Sequence, residues 1–240
     1  MTAREQPAGL PGIDVSHLQG AVDWARVAAS GVAFAWLRSG EAGWAEGDLA
    51  FRRNLDCARS AGVVAGAYHV FHEDVDPRKA ADLFYARMTD FRAGVDLPPA
   101  VDFEWIGGRG CSVSAVKACE RFAAEVHLRF GVPPILYTAA GYVGTLVAPS
   151  SPLAKLDLWV AAYADRVVMP HAWPTYTAWQ WLGDGGKVDG VSTDCDRNAF
   201  AGGRPEFDRW LLISSGRMGP DECPHGSTVD APLLLDTQAK

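Results

Sequence analysis

The fold of this chain can be worked out from one segment near its middle, Leu97-Pro98-Pro99-Ala100-Val101-Asp102-Phe103-Glu104-Trp105. An apolar run that starts at prolines and ends in acidic residues is typical of a short buried strand with a polar end. Side chains alternate along a strand that rises roughly 3.3 Å per residue, so Asp102 and Glu104 would share one face, with Cα atoms about 6.6 Å apart. Two carboxyl groups at that range can flank a single bond, as glycosidic cleavage requires. Taken alone, such a pair is more often a solvated strand end.

Similar apolar runs recur on both sides of this segment and alternate with helical stretches from Gly12 to about Gly203. The predicted strands are Ile13–Ser16, Ala33–Arg38, Val64–Phe71, Ala100–Glu104, Ile135–Thr138, Leu158–Tyr163, Thr177–Trp181 and Thr193–Asn198. Strands that alternate with helices predict β/α units and an α/β fold class. Eight such strands in a chain of this length predict a barrel.

The predicted helices are unevenly distributed. Apolar residues recur every three or four positions in Leu49–Ser60, Pro77–Phe91 and Ser114–Phe130, which indicates helices. From Leu158 onward, the segments between strands are too short or too rich in proline and glycine for long helices. We therefore expect an irregular barrel with few helices in its last third.

The chain is expected to form one main domain with two short flanks. Residues 1–11 are predicted to be a flexible lead, residues 12–203 a barrel domain and residues 204–240 a C-terminal extension. Within the extension, Phe207–Ile213 has the pattern of a last helix. The segment after it is rich in Gly, Pro, Ser and Asp and is predicted to be a flexible tail.

Composition narrows the class of protein. The 240 residues are 48% hydrophobic, enough for one large core, and the net charge of −7 argues against binding to nucleic acid. The 9 Trp, 6 Tyr and 10 Phe suit a core, and such flat rings also pack on sugars. The 5 cysteines are scattered without a Cys-x-x-Cys pair, so we expect reduced thiols. No stretch approaches the roughly 20 apolar residues of a membrane span, and no signal-peptide pattern is seen at the start.

Polar residues stand where most of the predicted strands end, the part of a β/α barrel in which the chemistry usually lies. They are Asp14, Ser16 and His17 after the first strand, Tyr68 and His69 on the third, Asp102 and Glu104 on the fourth, Tyr137 on the fifth, Tyr163 on the sixth, Gln180 on the seventh and Asp196 on the last. Each has an ordinary explanation singly, such as turn capping or a satisfied core histidine. Their joint placement favours a functional site at one end of the barrel.

Several blocks, in order, resemble glycoside hydrolase family 25, the Chalaropsis-type and phage-type lysozymes, over roughly residues 10–203. The blocks are Gly12-Ile13-Asp14-Val15-Ser16-His17-Leu18-Gln19-Gly20, Val22-Asp23-Trp24, Gly66-Ala67-Tyr68-His69, Leu97-Pro98-Pro99 with Asp102-Phe103-Glu104, Ile135-Leu136-Tyr137, Leu158-Trp159-Val160-Ala161-Ala162-Tyr163, Trp179-Gln180-Trp181 and Asp196-Arg197-Asn198. The resemblance implies an irregular (β/α) barrel of about five β/α units followed by three strands. It also implies cleavage of the β-1,4 bond between N-acetylmuramic acid and N-acetylglucosamine in peptidoglycan.

The resemblance further implies roles for individual residues. Glu104 would be the general acid. Asp102 would stay ionised, either as the nucleophile or, as we favour, orienting the substrate's N-acetyl group so that configuration is retained. Asp14 and Asp196 would adjust the charge of the site and position the water molecule or the substrate's N-acetyl group. The expected substrate-binding residues are Tyr68, Tyr137, Tyr163, Trp159, Gln180 and His69. One departure is Arg38-Ser39-Gly40-Glu41, where the family usually has Lys-Ala-Thr/Ser-Glu-Gly. The resemblance therefore does not predict the shape of the cleft at this position.

Two alternatives of other classes remain at this point. One is a barrel that binds peptidoglycan or a chitin-type glycan without turnover. The other is a metal hydrolase using His17, His69, Asp14 and Asp102, although these residues lack a recognised ligand spacing. For the favoured hydrolase we expect no cofactor and no metal, peptidoglycan as the partner, a monomer, and cytoplasmic synthesis followed by lysis or dedicated export to the cell wall.

Overall fold

The computed structural model describes residues 5–105, 108–183 and 185–222. Eight strands close into one barrel in chain order, so the predicted α/β barrel is confirmed and every predicted strand is present. The strands are β1 Leu10–Val15, β2 Phe34–Glu41, β3 Val64–Val70, β4 Ala100–Asp102, β5 Ile135–Ala139, β6 Leu158–Ala161, β7 Ala178–Leu182 and β8 Asp196–Phe200.

The direction of the last strand differs from that of the others. Strands β1 to β7 are parallel to their neighbours, whereas β8 is antiparallel to both β7 and β1. The described part of the chain between β7 and β8 holds no helix, and a strand that returns without a crossover helix naturally runs antiparallel. The start of β8 therefore lies at the same end of the barrel as the carboxyl ends of the other strands. We call this end the mouth and the opposite end the base.

The helices become sparse after β5, as predicted. They are α1 Trp24–Ala29, α2 Phe51–Ser60, α3 Pro77–Arg87, α4 Val113–Phe130, α5 Ala140–Val143 and α6 Arg204–Ser214, with short 3-10 helices at His17–Gln19 and Pro152–Lys155. Side chains cap three of the α-helices: Asp23 accepts from Arg26 N, Asp76 from Lys79 N and Ser112 from Ala115 N. Within the described residues, no helix is both long and apolar enough to cross a membrane.

The inside of the barrel is filled largely with aromatic rings. Trp36 stacks on Trp159 with ring centroids 4.3 Å apart, and Phe34 lies edge-on to Trp36. Gly12 of β1 makes room for this packing, because a Cβ atom there would come within 2.3 Å of the Phe34 ring. The barrel is thus a packed core and not a pore, and only its mouth is open to polar chemistry.

Helix α6 closes the base of the barrel. Its Phe207 stacks on Phe34 with centroids 5.4 Å apart and meets Phe200 edge-on, and Leu211 is buried beside them. The helix predicted at Phe207–Ile213 is therefore present, longer than expected and packed into the barrel core.

Two expectations at the flanks have different outcomes. Strand β1 begins at Leu10, whose N–H donates to Gly202 O at 2.9 Å, so the end of the predicted lead lies in the sheet. The tail predicted after Ser214 is described only as far as residue 222, and the rest of it lies outside the described residues. The division into lead, barrel domain and extension stays a prediction.

The outer layer packs the long helices against the strands. Phe71 stacks on Phe122 of α4 with centroids 4.8 Å apart, and Phe84 of α3 meets Phe130 of α4. The four described cysteines carry free thiols, and Cys223 lies outside the described residues.

Candidate active site

The barrel brings four acidic side chains to its mouth. Asp14 is near the end of β1, Asp102 ends β4, Glu104 follows two residues later and Asp196 begins β8. Asp14 and Asp196 are paired across the β1–β8 ladder, because the reversed strand presents its first residue where the parallel strands present their last. Asp102 and Glu104 face them from the opposite side of the closed barrel.

Asp14 is buried, and two amide groups hold its carboxyl group in place. Gln180 Nε2 and Asn198 Nδ2 each donate to Asp14 Oδ2 at 2.8 Å. These hydrogen bonds favour the ionised form, but the loss of solvent outweighs them and raises the pKa of Asp14 to about 6. Asp14 can therefore carry or release a proton close to neutral pH.

Gln180 connects both sides of the site. Its Oε1 accepts from Tyr137 OH at 2.8 Å and from Tyr163 OH at 2.6 Å. Because an ionised carboxylate only accepts, Asp14 and, at 3.3 Å, Asp196 require the donor Nε2 on their side, which leaves Oε1 to accept from the two tyrosine hydroxyls. The two tyrosines thus act on the acids through one side chain.

The environment of Asp102 differs from that of Asp14. Its side chain is buried, and its Oδ1 atom has no hydrogen-bond partner within the described residues. Burial and the neighbouring charges of Glu104 and Asp14 raise its pKa well above the usual range, while Arg38 opposes this only partly. Burial without a compensating hydrogen bond on Oδ1 therefore disfavours the charged form of Asp102.

Glu104 lies between the buried acids and solvent. It is partly exposed, and desolvation together with the charge of Asp196 raises its pKa to about 7. A carboxylic acid with this pKa holds a proton at neutral pH and can also give it up, which general acid catalysis requires.

The residues expected to bind substrate are placed at different depths. Tyr163 is 55% exposed and Tyr68 is partly exposed, so both can reach a ligand. Tyr137 and Gln180 are buried below them. Trp159 is also buried, stacked in the barrel core, and its Nε1 donates to Asn198 at 2.8 Å. It supports the site from beneath and does not face the cleft.

His69 does not lie at the mouth, contrary to expectation. It follows Tyr68 on β3, and successive side chains on a strand point to opposite faces, so the imidazole is in the outer layer. The ring stacks on Phe84 with centroids 5.2 Å apart, and its Nε2 lies 3.2 Å from Ala42 O. Burial lowers the pKa of His69 to about 4, so it is a neutral packing residue.

Asp48 is a site residue that sequence reasoning missed. Its buried Oδ2 accepts from Arg38 Nε and from His17 N, each at 3.0 Å, and its Oδ1 accepts from Ala50 N at 2.9 Å. These contacts hold the Arg38 guanidinium at the edge of the mouth, and the pKa of Asp48 is lowered by them despite burial. Asn198 was likewise not singled out, although a polar amide inside a short strand was the available signal.

The four residues of the metal alternative are not brought together. His17 Nδ1 lies 2.9 Å from Asp48, His69 faces the outer layer, and Asp14 and Asp102 are inside the barrel. Among the described residues, no cluster of three or more His, Cys, Asp or Glu side chains has the arrangement of a metal site.

The chain is similar to known proteins over most of its length. The family model "Glycosyl hydrolases family 25" matches residues 13–191. Lysozyme M1 of Streptomyces globisporus is 32% identical over 204 residues, which are 81% of this chain and 69% of that protein.

Solved structures of similar proteins have the same fold. The bacterial lysozyme of Streptomyces coelicolor superimposes with a TM-score of 0.79 at 29% identity, covering 89% of this chain and 100% of that one. A muramidase from Acremonium alcalophilum gives a TM-score of 0.74 at 29% identity, covering 86% and 99% of the two chains.

Proposed function

Since this chain belongs to glycosyl hydrolases family 25 and is a lysozyme-type peptidoglycan hydrolase, we propose that Glu104 is its general acid and Asp102 the carboxyl group that assists. The enzyme is a muramidase, which cleaves the bond between N-acetylmuramic acid and N-acetylglucosamine. The observation that carries the assignment of Glu104 is its position: it is a partly exposed acid at the edge of a buried cluster, with a pKa raised to about 7.

In the first step, Glu104 gives its proton to the glycosidic oxygen while the bond from that oxygen to the anomeric carbon breaks. The acetamido oxygen of the muramic acid residue forms a new bond to the same carbon, giving a cyclic cation. Glu104 is left as a carboxylate, and the N-acetylglucosamine end leaves as an alcohol. The positive charge is stabilised by the acidic cluster at the mouth.

In the second step, a water molecule adds to the anomeric carbon and gives its proton to the Glu104 carboxylate. The bond to the acetamido oxygen breaks, which restores the N-acetyl group and the protonated acid. Two displacements at one carbon give net retention of configuration. The overall change consumes one water molecule for each bond cleaved.

The structure supports a more specific role for Asp102 than permanent ionisation. Its unpaired Oδ1 and raised pKa favour a proton on Asp102 in the free protein. An acetamido N–H that donates to this oxygen would stabilise the carboxylate, because hydrogen bonds to a charged form lower its pKa. Substrate binding would then move the proton toward Glu104, where it is needed. Gln180 and Asn198 hold the carboxyl group of Asp14, so the negative charge that Asp14 adds to the cluster would stay at a fixed position.

The test is replacement of each acid by its amide. Glu104→Gln and Asp102→Asn should each lower the clearing of purified cell walls by about 100-fold or more, since general acid catalysis contributes roughly 10²–10⁴-fold. The exposed Glu46→Gln serves as the matched control. Mass spectrometry should find muramic acid at the new reducing ends. Undiminished activity of the Glu104 variant would overturn its assignment, and glucosamine ends would indicate a glucosaminidase.

The enzyme acts on the cell wall. Its substrate-binding side chains are proposed to be Tyr68, Tyr137, Tyr163 and Gln180, with Asp196 as the fourth acid, and the protein is proposed to be a monomer. Release by lysis or a dedicated export route would bring it to its substrate.

A further inference from the structure

The buried carboxylate of Asp48 contacts neither substrate nor the four acids in the mechanism described above. We propose that Asp48 is a positioning residue: it keeps the Arg38 guanidinium from pairing with Asp102, so that Asp102 Oδ1 stays free to accept from the substrate. The proposal rests on the function proposed above, because it takes Asp102 as the group that orients the acetamido N–H.

Arg38 enters the same space as Asp102. Trp36 of β2 lies in the ring stack inside the barrel, and side chains alternate along a strand, so Arg38 two residues later also points inward. Arg38 is paired with Tyr68 of β3, and Tyr68 is paired with Ala100 of β4. Asp102 follows Ala100 by two positions and faces the same way. An arginine at this position is therefore directed into the space that the acids share.

Contacts on one side of the mouth keep the guanidinium away from β4. Arg38 Nε donates to Asp48 Oδ2 at 3.0 Å, and Arg38 Nη2 lies 2.7 Å from His17 Nδ1. Arg38 Cζ lies 5.6 Å from the centroid of the Trp44 ring, within the range of a cation–π contact. These three partners follow β1 or β2, whereas Asp102 ends β4. The planar head of Arg38 is thus held on the β1–β2 side.

The carboxyl groups of Asp48 and Asp102 differ in their capacity to bind a guanidinium. Burial opposes ionisation of Asp48, but hydrogen bonds from its neighbours outweigh it and lower its pKa. For Asp102, burial and the charges of Glu104, Asp14 and Glu41 raise the pKa, and Arg38 opposes them only partly. A guanidinium binds an ionised carboxylate more strongly than a neutral one. Arg38 therefore pairs with Asp48, and Asp102 Oδ1 has no hydrogen-bond partner within the described residues.

Loss of the charge on Asp48 would reverse this preference. The guanidinium would then lie near an unpaired buried oxygen of Asp102, and a charge-assisted hydrogen bond between them would satisfy both groups. That bond would occupy the atom that the acetamido N–H needs. With Asp48 in place, Arg38 acts on the acids as a charge at a distance and not as a hydrogen-bond donor.

The experiment compares Asp48→Asn with the double variant that carries both Arg38→Gln and Asp48→Asn. The first change keeps the shape of the side chain and removes its charge, and the second removes the arginine that would be released. The control is Asp56→Asn, which breaks an exposed ion pair with Arg52 on α2. Each protein is assayed for kcat/KM on purified cell walls and crystallised without substrate.

We expect Asp48→Asn to lower kcat/KM by about 10-fold or more, because a charge-assisted hydrogen bond to Asp102 must break before the substrate can use that oxygen. The crystal structure of this variant should show an Arg38 nitrogen within hydrogen-bond distance of Asp102 Oδ1. The double variant should recover to within about 3-fold of wild type, because the second change removes the cause of the loss. Asp56→Asn should match wild type.

Undiminished activity of Asp48→Asn would overturn the proposal, as would a loss that persists in the double variant or an Arg38 that stays apart from Asp102 in the crystal. If Asp48→Asn does not fold, His17→Ala provides the test, because the His17 side chain is 46% exposed. It should move Arg38 toward Asp102, and an unmoved Arg38 would overturn the proposal. A wild-type protein that does not clear cell walls would instead refute the proposed function, and the crystal structures would still test the position of Arg38.

Discussion

Replacement of Glu104 by Gln should make the protein more stable at alkaline pH while removing its activity. The folded protein holds the pKa of Glu104 at about 7, against an ordinary value of 4.5, so the fold favours the protonated acid. This stabilisation is fully present below pH 4.5 and is lost as the pH rises through 7. Glutamine carries no charge at any pH and does not incur that loss.

The size of this stabilisation in free energy follows from the same pKa. A rise from 4.5 to about 7 corresponds to about 3 kcal/mol at 1.36 kcal/mol per pH unit. Because Glu104 is partly exposed and interacts with other acids, we expect the variant to gain about 1–3 kcal/mol at pH 8 and nothing at pH 4. With roughly 2–4 °C per kcal/mol for a chain of this size, the Tm should rise by several degrees at pH 8 only.

The assay is urea unfolding of wild type and variant at pH 4, 6 and 8, with Glu46→Gln as a control at an exposed carboxylate. The difference in the free energy of unfolding should grow with pH for Glu104→Gln alone. A difference that is constant with pH, or a variant less stable than wild type at pH 8, would refute the claim that desolvation holds a proton on Glu104.

Three further predictions follow from other parts of the molecule. Wild-type kcat/KM on cell walls should fall about tenfold per pH unit above about 7 as Glu104 loses its proton, and a flat profile to pH 9 would contradict this. Gln180→Leu removes a donor to Asp14 and the acceptor of two tyrosine hydroxyls, so kcat should drop tenfold or more, as expected for about 1–3 kcal/mol of unpaired polar groups. A variant with wild-type kcat and an unchanged circular dichroism spectrum would argue against that role. Phe207→Ala opens the base of the barrel core and should cost about 3–5 kcal/mol in urea unfolding. The kcat of its folded fraction should be unchanged, and an altered kcat would link the base to the mouth.

Strand existence was predictable because each buried strand carries a local apolar run. The direction of β8 was not predictable in the same way. The antiparallel course of β8 depends on how the chain returns from β7, and neither the apolar pattern nor the spacing of Asp196 contains that information. Asp196 was nevertheless expected at the end of the barrel where it lies.

The side on which a strand residue points explains the main error. Tyr68 and His69 were both expected to bind substrate, yet neighbouring residues on a strand face opposite sides, so only one of them could do so. The inward positions on β4 and β7, which include Asp102 and Gln180, follow the same alternation and lie at the mouth.

Asp48 illustrates what a local pattern cannot reveal. Its carboxylate joins the loop after β1, the end of β2 and its own loop, and the contact with His17 spans 31 positions of sequence. Such a contact depends on the closed barrel, and no spacing within one segment indicates it. Arg38 was noted as a departure from the family pattern, but its fixed orientation became apparent only from Asp48.

The closure of the base by α6 has a consequence for how the chain folds. Phe34 is made long before Phe207, yet the two rings stack, so the central core joins β2 to α6. Contacts so distant in sequence slow folding, because a long loop must close before they form. Until α6 has emerged from the ribosome, the inner aromatic rings remain open to water at one end, and a nascent chain at that stage is a natural client for chaperones.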